Sequence, residues 1–127
     1  GSSPLDLDGD GSADVQYNAT KATIQSLFSS LRSSLTSSDQ LFVFVTDHGS
    51  QEDDGSCYVC LWNNGLMSVS EFSALTSGMS CPVSYAFEFC YSGAFISALR
   101  SQGGTRAVAT AASTETSSAW SRTSTGT

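Results

Sequence analysis

Two short apolar runs, at residues 41–45 and 83–89, constrain this chain more than any other feature, because chemically reactive residues follow each of them. The first is rich in β-branched and aromatic side chains and is typical of a strand buried on both faces, and the second predicts another buried strand. A further apolar run covers residues 106–112. Amphipathic helical patterns lie before and between these runs, at residues 18–37, 69–79 and 92–100. This alternation predicts an α/β domain with a mainly parallel sheet flanked by helices.

Local signals refine the boundaries of two of these helices. Asn18 is a good N-cap residue at the start of the first pattern. Ser68 and Glu71 have the spacing of a capping box, in which each side chain satisfies the backbone N–H of the other. We therefore expect the first helix to begin after Asn18 and the second to begin after Ser68.

Residues 51–65 lie between the first predicted strand and the second predicted helix. Residues 51–56 predict an acidic, exposed loop, and residues 57–62 alternate enough to form a strand. An Asn-Asn-Gly turn follows at residues 63–65. This pattern favours either a β-hairpin or a short excursion from the main sheet.

The composition narrows the possible classes of protein. The chain has 127 residues, of which 39% are hydrophobic. This length and composition predict a single domain over residues 1–127, with a modest core. Twelve acidic and five basic residues give a net charge of −7, which disfavours nucleic acid as a partner. No stretch approaches the roughly 18 apolar residues of a membrane span. Because few residues are charged and serine and threonine are abundant, we expect a secreted, extracellular or periplasmic protein.

The residues that follow the two apolar runs predict a shared site. Parallel strands end at the same edge of a sheet, and ligands gather beyond their carboxyl ends. His48, the single histidine, lies three residues after the first run, and Cys90 directly follows the second. We therefore expect His48 and Cys90 to meet at one edge of the sheet.

A thiol beside an imidazole can act as a nucleophile with its base. In that interpretation Cys90 attacks a carbonyl carbon, His48 transfers the proton, and the backbone N–H groups of Gly49 and Cys90 stabilise the oxyanion. The positive end of the helix predicted after Cys90 would lower the pKa of the thiol. The alternative is that His48 is a polar loop residue and Cys90 a small residue of the core.

Two segments, FVFVTDHGS at residues 42–50 and YAFEFCYSGAF at 85–95, resemble the motifs of caspase-like cysteine peptidases of clan CD. The similarity is closest to the bacterial legumain-like C13 peptidases and extends over residues 5–120. It implies a caspase-like fold and a cysteine endopeptidase with a His48–Cys90 dyad, a thioester acyl-enzyme, a peptide or protein substrate and no catalytic cofactor. The family fold normally begins with further strands before the part that matches Leu5, and a supporting third catalytic residue comes from that region.

The same resemblance implies where substrate would bind. In this family the segment after the last strand lines the pocket for the residue that precedes the cleaved bond. Ser117 and Ser118 match that segment approximately, because the acidic residue usual before the paired serines is Thr116 here. Glu88 matches a frequent family acid, with either a structural or a substrate-binding role.

Residues 1–17 contain an acidic loop with the spacing of a calcium site. The oxygen-bearing residues at the ligand positions are Asp6, Asp8, Asp10, Ser12 and Asp14. Gly11 stands where such loops turn sharply, but the twelfth position is Tyr17 instead of glutamate. We expect structural calcium here, with a solvated acidic turn as the alternative. A second functional hypothesis follows, a non-catalytic binding or interaction module that calcium stabilises on the same scaffold.

The four cysteines allow several arrangements. A Cys₃His zinc site from Cys57, Cys60, Cys81 and His48 is the least favoured, because residues 58–59 lack the turn typical of a zinc knuckle. A disulfide between Cys81 and either Cys57 or Cys60, or simple packing, is expected instead. A Ser-His-Asp hydrolase is disfavoured because there is no Gly-x-Ser-x-Gly elbow and because Asp47 would point away from His48 in an extended segment.

Overall fold

The computed structural model describes residues 5–102 and 106–118. Its helices are α1 (Lys21–Ser34), α2 (Val69–Leu75) and α3 (Gly93–Ser101). Its strands are β1 (Leu41–Thr46), β2 (Gly49–Gln51), β3 (Cys57–Leu61), β4 (Gly65–Ser68), β5 (Val83–Glu88) and β6 (Arg106–Ala111). No helix in these ranges is long and apolar enough to cross a membrane.

The strands form two small sheets. A parallel sheet has the order β1-β5-β6, and an antiparallel sheet has the order β2-β3-β4. The predicted α/β class is therefore confirmed, but the parallel sheet is accompanied by a separate antiparallel one of equal strand number. The hairpin, one of the two predicted alternatives, is present as β3 and β4, whereas β2 was not predicted as a strand.

The core lies between the parallel sheet and two of the helices. Phe87 of β5 contacts Phe72 of α2 at 5.5 Å and Phe95 of α3 at 6.0 Å between ring centroids. Phe89 packs edge to face on Phe95 at 5.2 Å. Since the Phe87 ring contacts both α2 and α3, these two helices cover the same face of the sheet, as right-handed crossovers predict for the strand order β1-β5-β6.

The prediction that strand β1 is buried on both faces is wrong. Leu41, Val43 and Val45 pack against the core, but Phe42 and Phe44 are 66% and 52% exposed. β5 alternates in the same way between buried and less buried residues. The apolar run identified the strand correctly, but it does not encode on which face the helices pack.

Helix α1 begins two residues later than predicted. Thr20 is its N-cap, with a hydroxyl that accepts the N–H of Thr23 at 3.3 Å, while the carbonyl of Asn18 accepts the N–H of Thr20. The helix ends at Ser34 instead of residue 37. The capping box of α2 is present as predicted, although that helix ends at Leu75 and the prediction extended it to residue 79.

None of the four cysteines forms a disulfide. Cys57 and Cys81 are 5% and 3% exposed and belong to the hydrophobic core. The structure therefore has the packing alternative, and the predicted disulfide from Cys81 is absent. A thiol behaves in such a core as a small apolar side chain.

Candidate active site

The carboxyl ends of β1 and β5 lie side by side. Thr46 and Glu88, the last residues of the two strands, are partners in the parallel register. His48 and Cys90 each follow two residues later, so the two segments leave the sheet from the same edge. The structure places the chain around His48 beside the chain around Cys90.

Gly49 is the point of closest approach between these segments. A Cβ atom on Gly49 would lie 1.9 Å from the carbonyl oxygen of Cys90 and 3.0 Å from the ring of Phe89. Carbon and oxygen atoms cannot approach this closely without a bond, so only glycine fits here. The absence of a side chain at residue 49 therefore lets the two segments meet.

The N–H of Gly49 is not used in the ladder to β3. Cys60 donates its N–H to the carbonyl of His48 at 2.8 Å, which makes His48 and Cys60 a hydrogen-bonded pair. Gly49 and Val59 are then a non-hydrogen-bonded pair, in which the backbone polar groups point away from the partner strand. The N–H of Gly49 thus points away from β3.

His48 is exposed and Cys90 is half-buried. Asp47 accepts the backbone N–H of His48 at 2.6 Å, so its carboxylate is engaged with the main chain. Cys60 is a further thiol at this edge, and the sequence did not indicate that it lies near His48 and Cys90. Burial raises the pKa of Cys60, and the nearby Asp47 and Cys90 side chains raise it further.

Tyr91, directly after Cys90, has a left-handed backbone with φ of 61°. Bulky residues rarely adopt this conformation, and such outliers cluster at functional sites. Its N–H donates to the carbonyl of Ser117 at 3.0 Å, and its side chain packs partly against the core. Nothing in the sequence indicates this conformation, because tyrosine is not a residue that favours it.

Helix α3 begins three residues after Cys90, so its positive end is close to the thiol-bearing turn. Gly93, its first residue, donates its N–H to the carbonyl of Ser113 at 3.0 Å. A Cβ on Gly93 would lie 2.8 Å from the backbone of Thr114 and Glu115. The segment after β6 therefore packs directly on the start of α3.

The predicted substrate-binding residues occupy different surroundings. Ser117 is half-buried, and its hydroxyl accepts the N–H of Thr114 at 3.1 Å while its carbonyl binds the Tyr91 N–H. Ser118 is exposed. Glu88 is exposed at the end of β5. The structure thus brings the backbone of Ser117, and not that of Ser118, into hydrogen-bond contact with the turn at residues 89–93.

The acidic loop gathers three of its five predicted ligands. Carboxylate oxygens of Asp6, Asp8 and Asp14 lie within 4.8 Å of one another. Asp10 lies outside this group, and its carboxylate accepts the N–H of Ser12 at 2.7 Å. Oxygen ligands suit a hard cation such as calcium. Within residues 5–102 and 106–118, the alternative Cys₃His set does not come together as a metal-binding group.

The sequence profile of the peptidase C13 family matches residues 13–126. No curated protein is significantly similar to the chain. The matched range includes both segments that meet at Gly49 and Cys90, as well as the segment that packs on the start of α3.

Proposed function

The chain belongs to the peptidase C13 family, the legumain-like cysteine peptidases of clan CD, and from this premise we propose that it is a cysteine endopeptidase. Cys90 is the nucleophile and His48 is the general base and acid. The observation that carries the proposal is the contact of Gly49 with Cys90, which brings the histidine segment to the cysteine segment. Peptides and proteins are the substrates that this family implies.

The proposed reaction proceeds in two steps. His48 takes the proton of the Cys90 thiol, and the thiolate attacks the carbonyl carbon of the scissile peptide bond. The tetrahedral intermediate collapses as His48 protonates the leaving amine, and a thioester acyl-enzyme remains. Water, deprotonated by His48, then hydrolyses the thioester and restores the thiol.

Backbone donors stabilise the oxyanion in both steps. We assign this role to the N–H groups of Gly49 and Cys90. The orientation of Gly49 supports the assignment, because its N–H points away from the ladder with β3. The N–H of Tyr91 is bound to Ser117 and is not assigned this role.

The substrate lies in an extended conformation across the strand ends. Ser117, Ser118 and Glu88 are the proposed substrate contacts. The bond between Ser117 and Tyr91 supports this placement for Ser117, since the segment that would contact substrate is fastened next to the nucleophile.

Cleavage of a fluorogenic peptide library tests the proposal. We expect the wild-type chain to cleave a subset of the peptides and Cys90→Ala to cleave none above background. Cys60→Ala, which removes another half-buried thiol at the same edge, is the matched control and should keep most of the activity. Equal cleavage by the wild type and Cys90→Ala would refute the assignment.

We propose that calcium binds Asp6, Asp8 and Asp14 and orders the approach to α1. The clustering of three carboxylates supports this, because like charges this close repel one another unless a cation is present. Exported proteins meet calcium at concentrations that fill sites of moderate affinity, which agrees with the proposed extracellular location. A calcium-stabilised binding module without catalysis is the second candidate function, and an inactive wild-type chain that binds calcium would favour it.

A further inference from the structure

Ser113 touches the chain on both sides of Cys90. Its hydroxyl donates to the carbonyl of Phe89 at 3.1 Å, on the residue before the nucleophile. The same oxygen accepts the N–H of Ser92 at 3.3 Å, two residues after it. One side-chain atom therefore bridges the two ends of the turn that holds Cys90.

The backbone of Ser113 adds two more hydrogen bonds to the same turn. Its carbonyl accepts the N–H of Gly93 at 3.0 Å, and its N–H donates to the hydroxyl of Ser92 at 3.4 Å. Ser92 is fully buried, so water cannot replace Ser113 as the partner of its hydroxyl and N–H. Polar groups buried in this way are costly to leave without a partner.

The turn needs such restraint because of its conformation. Tyr91 has its backbone in the left-handed region, which is sterically unfavourable for a residue with a bulky side chain. A strained residue keeps its conformation only when the surroundings fix the chain on both sides. The hydrogen bonds of Ser113 fix the chain at residues 89, 92 and 93, which enclose both Cys90 and Tyr91.

We propose that Ser113 is a positioning residue that holds the Cys90 turn in its reactive geometry. Where catalysis is concerned, the inference rests on the proposed peptidase function. The role that we assign to Ser113 is to hold the Cys90 thiol in place relative to the start of α3 and to Gly49. Loss of the bridge would let the turn relax, and the thiol would move away from the groups that activate it.

The test compares Ser113→Ala with Ser113→Thr, which retains the hydroxyl. Ser97→Ala is the matched control, because Ser97 lies on α3 and contacts Glu115 of the same segment, but not the turn. The readouts are the rate of Cys90 alkylation by iodoacetamide from pH 5 to pH 10, and kcat and KM on a cleaved peptide. Thermal unfolding of each variant measures stability separately.

For Ser113→Ala we expect kcat to fall by about tenfold to a hundredfold, with KM within about twofold of the wild type. We also expect the profile of Cys90 alkylation to change, because the thiol loses its fixed place relative to the start of α3 and to Gly49. Ser113→Thr should restore both values in large part. Wild-type kinetics and an unchanged alkylation profile in Ser113→Ala would overturn the proposal.

Two further outcomes are decisive. If the wild-type chain cleaves no peptide, the alkylation profile still tests Ser113, so failure of the peptidase function does not decide this inference. If Ser113→Ala does not fold, Ser92→Ala is the second variant, because it removes the hydroxyl that accepts the backbone N–H of Ser113 in the same turn. A shifted profile in Ser92→Ala then supports the proposal, and an unchanged one refutes it.

Discussion

Gly49 and Cys90 are in such close contact that a methyl group on Gly49 would stand 1.9 Å from the carbonyl oxygen of Cys90. The two residues are 41 positions apart in the chain, and two strands that end at the same edge bring them together. This close packing keeps the segment of His48 next to that of Cys90.

Gly49→Ala should therefore damage both stability and activity. Overpacking against backbone costs about 1–3 kcal/mol in the free energy of unfolding, and the two segments must also move apart. Urea denaturation and peptide cleavage measure the two effects. Gly65→Ala is the control, because its nearest neighbour would lie at 3.3 Å and is a side-chain atom. Equal losses in the two variants would show that the approach of Gly49 to Cys90 has no special role.

Tyr91→Gly and Tyr91→Ala form a pair that isolates backbone strain. Both remove the ring, but only glycine adopts a φ of 61° without steric cost. We expect the glycine variant to be more stable than the alanine variant by about 1 kcal/mol in urea denaturation. Greater stability of the alanine variant would indicate that the left-handed conformation of Tyr91 does not exist in solution.

Calcium should raise the thermal midpoint of the wild-type chain by mass action. The prediction is tested by a titration to a few millimolar calcium, monitored by circular dichroism, against the same titration with magnesium. Asp8→Asn should weaken the response, because it removes one charge from the carboxylate group formed with Asp6 and Asp14. Asp53→Asn, in the exposed loop between β2 and β3, is the matched control. An identical calcium response in both variants would contradict the assigned site.

The ion pair between Lys21 and Glu71 should make stability depend on pH. Their side chains meet at 2.7 Å, and Lys21, followed by the N–H of Ser68, lowers the pKa of Glu71 from its ordinary value of 4.5. A lowered pKa in the folded state means that the contribution is complete above the unfolded value and is lost as the pH falls through the folded value. Because both side chains are partly exposed, we expect only about 0.2–1 kcal/mol.

Glu71→Gln tests this dependence, since glutamine can still accept the N–H of Ser68 but carries no charge. The difference in unfolding free energy between wild type and variant should be largest near pH 7 and should shrink below the ordinary pKa of glutamate. Lys21→Met should reproduce the same trend. A difference that stays constant from pH 7 to pH 3 would contradict the assigned ion pair.

Much of the fold follows from local sequence signals. Ser68 and Glu71 encode the start of α2 through a reciprocal pair of hydrogen bonds, and the apolar runs encode β1 and β5. Local signals do not determine which side chains of a strand are buried. Phe42 and Phe44 look like core residues in the sequence, but α2 and α3 both pack on the opposite face of the sheet.

The candidate site divides in the same way. His48 and Cys90 could be identified because each follows a recognisable strand and because the resemblance includes both. Tyr91 and Ser113 could not, since a backbone conformation and a bridge between residues 21 positions apart depend on the assembled structure. Strand β2 escaped prediction because its pairing with β3, and not an apolar pattern of its own, makes it a strand.

The most direct test of the proposed His48–Cys90 dyad is covalent labelling by a peptidyl acyloxymethyl ketone, which reacts with a cysteine nucleophile, followed by peptide mapping in a mass spectrometer. The four thiols provide an internal comparison, because none is in a disulfide. We expect rapid, stoichiometric labelling of Cys90 in the wild type and none in His48→Ala, with Cys57, Cys60 and Cys81 unmodified in both. Labelling of Cys90 no faster than that of Cys60, or equal labelling in His48→Ala, would contradict the proposed dyad.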